Sequence, residues 1–157
     1  MQYNVCDTET SCFYPGTYLG TKKIVAVGAG FDWQKDYQAY ASDVFVDYPI
    51  TRGVVTAQVD LNRFDGGATL RTLSRQDDVL AELEYFISGA KLMPVLQFAR
   101  RALVDTSRGN ENRISVGATY WWAGHNANIK VAYTRINTAE LATQYEFTVQ
   151  CTCSTSK

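Results

Sequence analysis

Val55-Thr56-Ala57-Gln58-Val59-Asp60-Leu61-Asn62 decides how this chain is read. Every odd position is apolar and every even one polar, and side chains that alternate in this way belong to a β-strand with one greasy and one polar face. The same period of two returns on both sides. Upstream, Val25, Val27, Ala29, Phe31 and Trp33 oppose Ala26, Gly28, Gly30, Asp32 and Gln34, and then Tyr40, Val44, Val46 and Tyr48 oppose Ala39, Ala41, Asp43, Phe45 and Asp47. Downstream, Ile114, Val116, Ala118, Tyr120 and Trp122 oppose Ser115, Gly117, Thr119 and Trp121. Ile129, Val131 and Tyr133 then oppose Asn128, Lys130, Ala132 and Thr134, and Tyr145, Phe147 and Val149 oppose Gln144, Glu146, Thr148 and Gln150.

The middle of the chain is more ambiguous, because Val79, Leu80, Leu83, Phe86 and Ile87 also fit a helical spacing. The strand reading is preferred: Val79, Ala81, Leu83, Tyr85 and Ile87 oppose Leu80, Glu82, Glu84 and Phe86, repeating an aliphatic face that ends near a Tyr. Leu92, Pro94, Leu96 and Phe98 follow against Val95, Gln97, Ala99 and Arg101. Pro94 lacks an N–H, so it suits this strand only near an end or a bulge. These segments predict eight strands in a single β-barrel domain over 1–157, with 1–21 as a lead-in, strands over 22–153 and a tail at 154–157. Short connections at 48–53, 88–91 and 123–126 alternate with longer ones at 65–78 and 105–112; the tight Lys35-Asp36 turn breaks that pattern. Short turns at one end and long loops at the other are the pattern of outer-membrane barrels.

With 157 residues, 15 Lys+Arg and 16 Asp+Glu, the net charge of -1 offers no electrostatic case for nucleic acid. No run reaches the roughly 18 apolar residues of a membrane-crossing helix, so a membrane reading requires strands. Met1-Gln2-Tyr3-Asn4 has neither a basic region nor an apolar one, which leads us to expect a mature form or a fragment.

An up-and-down barrel can be a transmembrane barrel or a soluble lipocalin-like calyx, and the two turn the same alternation inside out. Aromatics favour the first. Trp33, Tyr40, Tyr48, Tyr85, Tyr120, Trp122, Tyr133 and Tyr145 cluster toward the ends of the apolar face, as in the girdles at membrane interfaces. The expected architecture is therefore all-β, an antiparallel up-and-down transmembrane β-barrel with its greasy face toward a lipid bilayer or detergent. The opposite face would line the pore with Asp43, Asp47, Asp60, Glu82, Glu84, Arg101, Lys130 and Glu146. Three functions remain open: passive passage of ions or small solutes, a non-conducting barrel with an ion-paired lumen, and the soluble calyx. A ring of eight is nearly filled by its own side chains, so an open pore calls for a larger ring, reached by a homo-oligomer or in a longer chain.

Gly16-Thr17-Tyr18-Leu19-Gly20, Ala26-Val27-Gly28-Ala29-Gly30-Phe31-Asp32, Asp43-Val44-Phe45-Val46-Asp47-Tyr48-Pro49 and, above all, Tyr120-Trp121-Trp122-Ala123-Gly124-His125-Asn126-Ala127-Asn128-Ile129-Lys130 form a set. This set resembles the C-terminal part of Gram-negative outer-membrane porins of the phosphate-selective porin group. The resemblance runs from about Gly16 to Gln150, roughly half of a family member. It implies passive diffusion through a sixteen-stranded trimeric barrel in the bacterial outer membrane. Two features depart from it. The family ends in an aromatic residue where this chain continues Cys151-Thr152-Cys153-Ser154-Thr155-Ser156-Lys157, and the face assigned to the lumen is mainly acidic, so phosphate selectivity is not carried over.

No catalytic constellation is legible, and neither an enzymatic role nor a cofactor is expected. His125 falls in a predicted turn with no nucleophile beside it, the acids Asp43, Asp47, Glu82 and Glu84 read better as lumen than as a catalytic pair, and Gly28-Ala29-Gly30 lies inside a strand. Cys6, Cys12, Cys151 and Cys153 lack metal-site spacing, so no metal is expected. On one strand, Cys151 and Cys153 would share a face with Cα atoms about 6.5 to 7 Å apart, at or beyond disulfide reach.

Overall fold

The computed structural model describes residues 1–8, 16–104, 109–139 and 141–153. Among these residues ten strands follow one another: β1 (Gln2–Asn4), β2 (Ile24–Gln34), β3 (Tyr37–Ile50), β4 (Gly53–Asp65), β5 (Gln76–Ile87), β6 (Leu92–Leu103), β7 (Glu111–Tyr120), β8 (Trp122–His125), β9 (Ala127–Thr138) and β10 (Gln144–Cys153). All but β8 form one sheet of order β1-β2-β3-β4-β5-β6-β7-β9-β10, each strand antiparallel to its neighbours. The eight expected strands are β2 to β7, β9 and β10, including the segment with the alternative helical spacing, which forms β5.

Three expectations need correction. The sheet is not closed into a barrel: β1 and β10 are its edges, and no ladder joins them among the described residues. Eight successive antiparallel steps leave the first and ninth strands pointing the same way, so the antiparallel pairing that closes an up-and-down ring is not open to them. The lead-in is not outside the sheet either, because Gln2, Tyr3 and Asn4 pair with Gly28, Val27 and Ala26. The predicted turn at 123–126 is mostly β8, which is packed beside β9; only Asn126 is a turn residue. The proposed tail, 154–157, lies outside the described residues, as does Cys12.

Pro94 sits third in β6. The β5–β6 ladder pairs Glu84 with Val95 and Ile87 with Leu92 but skips the two positions between, where Pro94 has no N–H to give. Toward β7 the register is unbroken, with Pro94 opposite Ala118.

The register propagates one polar face across the sheet. Asp43 stands opposite Asp60, Asp47 opposite Thr56, Thr56 opposite Glu84, Gln58 opposite Glu82, and Thr119 opposite Lys130. The other face carries Val27, Val44, Val59, Leu83, Leu96, Phe98, Val116, Val131 and Val149, all exposed; mid-sheet, Leu83, Leu96 and Val116 keep 53%, 52% and 58% of their surface in contact with solvent. Burial is on the polar side, where the core is two small clusters: Val54, Phe86, Met93 and Trp121, and Ile24, Ala26 and Phe45. The molecule is thus greasy outside and polar inside.

Candidate functional site

The polar face curls into a groove: residues of six neighbouring strands, from Gln58 in β4 to Gln150 in β10, line one cavity of about 550 Å³. All eight residues expected to line a pore lie on this face by register. They are arranged in layers rather than gathered at one point. Toward the short turns, Asp47 and Glu84 flank Thr56 in one row. One row further are Gln58, Glu82, Gln97, Ser115, Thr134 and Glu146; beyond them come Asp43 and Asp60, and then Arg101, toward the long loops. Lys130 lies one row toward the short turns from Glu84, with its Nζ 5.9 Å from the ring centre of Trp121.

Asp47 is completely buried and fully engaged. Its Oδ1 accepts hydrogen bonds from the Oγ1 of Thr56 at 2.7 Å and of Thr17 at 3.1 Å, and its Oδ2 accepts from the Tyr18 N–H at 2.6 Å. The donors from 17–18 belong to a segment that doubles back across the polar face. Thr21 N–H and Oγ1 both bond to the Tyr18 carbonyl, at 3.1 and 2.8 Å, closing a turn whose central residues Leu19 and Gly20 have φ of 53° and 86°. A left-handed conformation costs a residue such as Leu about 1–2 kcal/mol. Leu19 recovers this by packing against the Val54, Phe86, Met93 and Trp121 cluster, since burying a Leu side chain contributes up to about 1.5–3 kcal/mol. Tyr18 packs on the second cluster. The segment 16–21 therefore forms a floor at the short-turn end of the groove.

Sequence reading missed this floor. The stretch Gly16-Thr17-Tyr18-Leu19-Gly20 stood out only as part of a resemblance; its local signal is an apolar pair beside a glycine able to take positive φ. Trp121 was assigned to the polar face and is there, buried, but its place in the floor was not legible.

Ion pairing differs from the expected lumen. Arg101 reaches Asp78 at 3.4 Å and Arg113 reaches Glu111 at 2.7 Å, both toward the long-loop end. Glu82 accepts a 2.6 Å hydrogen bond from Gln97 Nε2, Asp60 accepts one of 2.8 Å from Gln58 Nε2, and Glu146 accepts one of 3.2 Å from Thr148 Oγ1. Gly28 opposite Asp43 has a packing reason: a Cβ there would overlap the Asp43 carboxylate. Glu84 is 7% exposed, and its Oε2 has no hydrogen-bond partner among the described residues.

On the outer face seven of the eight expected interface aromatics fall near strand ends, and Tyr133 does not. Trp33, Tyr40 and Tyr145 are close to the long-loop end of β2, β3 and β10; Tyr48, Tyr85 and Tyr120 are close to the short-turn end of β3, β5 and β7, next to Trp122 in β8. Tyr133 lies mid-strand in β9 and stacks on Tyr145, ring centres 5.7 Å apart. Charge begins where the apolar band stops. Beyond Leu61 and Val79, Arg63 and Asp77 pair at 2.6 Å, opposite Tyr40 by register. That hydrogen bond holds the Asp77 carboxyl below its usual range and raises the Arg63 guanidinium. A broad apolar depression of about 930 Å³ over Phe31, Tyr40, Leu61 and Val79 adjoins this pair.

Cys6, Cys151 and Cys153 are free and exposed; the last two lie on β10 at alternate positions of the apolar face. His125, expected in a turn, ends β8 with its ring edge-on to Trp121 at 5.1 Å. No group of residues suited to holding a metal ion occurs among the described residues. Comparison with protein-family models, curated proteins and solved structures finds no match to this chain.

Proposed function

We propose that this chain forms the wall of a porin-type β-barrel in a bacterial outer membrane, serving passive passage of ions or small solutes rather than catalysis. The observation that carries the reading is the inverted distribution of polarity: a continuous apolar band, exposed on the outer face, backed by a groove of carboxylates, amides and hydroxyls. A soluble calyx requires the reverse. Aromatic residues at both margins of the band, with the Arg63–Asp77 pair beyond one margin, fit the depth preferences of interfacial rings and charges. Open edges leave backbone groups without partners, which lipid penalises by several kcal/mol per group, so the ring is completed by pairing with another copy or with further strands.

Depth-resolved quenching tests this reading. In a Trp121→Phe background, the chain refolded into vesicles should show Trp33 and Trp122 quenched most strongly by lipids brominated near the headgroups. Fluorescence unaffected by any brominated lipid would contradict membrane embedding.

A second reading, a barrel that conducts nothing, is favoured by the floor formed by 16–21 at one end of the groove. Planar-bilayer recording separates the two: a conducting chain shows steps of current, whereas a silent chain that begins to conduct on loss of the floor belongs to the second reading.

A further inference from the structure

Asp47 and Glu84 occupy equivalent places, one on each side of Thr56 in the same row of the polar face. Their surroundings diverge. The segment 16–21 supplies Asp47 with donors and stops there, while Glu84, more than nine-tenths buried, keeps Oε2 without a donor from the described chain. Beside Glu84 opens the 550 Å³ cavity, which Gly16 of the floor segment also lines. A buried carboxylate oxygen without a donor is costly, so its natural complement is a ligand that brings both N–H groups and positive charge.

We propose that the cavity over Glu84 is a binding site for small organic cations rich in N–H donors, of the guanidinium class. Glu84 supplies the acceptor, and a bound cation favours its ionised form. Glu82, on the next row of the same strand, adds negative charge, and the amides of Gln58 and Gln97 line the wall. Lys130 lines the same cavity beside the two carboxyl groups, and a bound cation favours their ionised form whereas an anion opposes it. A guanidinium presents a planar fork that matches a carboxylate, whereas a fully methylated ammonium has charge without donors and cannot complete Oε2. The site rests on the reading of this face as a solvent-filled lumen and names what that lumen selects.

The test is titration of the refolded chain in detergent micelles with methylguanidinium, tetramethylammonium and acetate by calorimetry. Saturable binding of methylguanidinium is expected, with tetramethylammonium at least tenfold weaker and acetate not binding. Glu84→Gln, which keeps the volume of the side chain, should weaken methylguanidinium binding at least tenfold, while Lys130→Gln should tighten it. Circular dichroism of each variant shows whether the sheet is retained; should Glu84→Gln fail to fold, the rank order of the three ions on the unmodified chain and the Lys130→Gln response carry the test. Equal binding of both cations, or undiminished binding by a folded Glu84→Gln, would overturn the site. Because the membrane reading is tested by lipid quenching, a chain that embeds in vesicles yet ignores methylguanidinium sinks only this proposal.

Discussion

Replacing Asp47 by Asn separates the floor from the rest of the groove. Asn can keep one acceptor for Thr17 and Thr56, whose hydroxyls share Oδ1, but its NH₂ then faces the Tyr18 N–H now bonded to Oδ2 at 2.6 Å. Donor opposes donor, and the Tyr18 amide is left unpaired. A hydrogen bond to a charged group contributes about 1.5–3 kcal/mol net. At 1.4 kcal/mol per factor of ten, local opening of 16–21 should become about 10- to 150-fold more frequent. Native-state hydrogen exchange of the refolded chain reads this at the Tyr18 amide, and the amide of Val46, opposite Ala57 in the β3–β4 ladder, serves as control. The expected outcome is faster exchange at Tyr18 with Val46 nearly unchanged. Equal protection of Tyr18 in both proteins would refute the argument that Asp47 holds the floor, and equal acceleration of both amides would mean that the substitution loosened the sheet instead.

Further outcomes follow from the same geometry. Gly20→Ala places a Cβ at φ 86° and within 3.3 Å of Val54, so urea titration should show a loss of roughly 1–2 kcal/mol. The Asp77 carboxyl titrates below its unfolded value because of Arg63, so the pair contributes stability above the unfolded carboxylate pKa and loses it as pH falls through the folded one; in Arg63→Gln, an NMR titration should find the Asp77 midpoint moved up. Glu82→Gln with Glu84→Gln should reduce cation preference in bilayer recordings if the groove conducts, whereas anion preference in the unmodified chain would contradict the acidic lumen. Mild oxidation should give disulfides between chains at Cys151 or Cys153 but no bridge between these two, read by mass mapping.

Period-two alternation was sufficient to place eight strands and their two faces, because most strands alternate apolar with polar or small positions and the register joins like to like. It carried even β5, where the alternation of Leu83 with Glu82 and Glu84 outweighed a competing helical spacing. Alternation says nothing about closure, which depends on how many strands there are and which way the edges run; the three residues of β1 are too short for the pattern to show, yet they make the count odd. The floor was illegible for another reason: Thr17, Tyr18 and Leu19 are fixed by contacts with Asp47 and Val54, some thirty residues away, and by a turn with positive φ at a leucine. Of the groove, sequence supplied the acids but not their partners, since Arg101 turns to Asp78 rather than to Glu82 or Glu84.

The central claim is that the exposed apolar face meets lipid. Its most direct test is the behaviour of the purified chain by size-exclusion chromatography with light scattering, paired with circular dichroism, in detergent and in plain buffer. β-type spectra and a monodisperse species are expected in detergent, with association or precipitation on its removal, because Leu83, Leu96, Val116 and Phe147 would be left in water. A stable, monodisperse β-protein in plain buffer would contradict it.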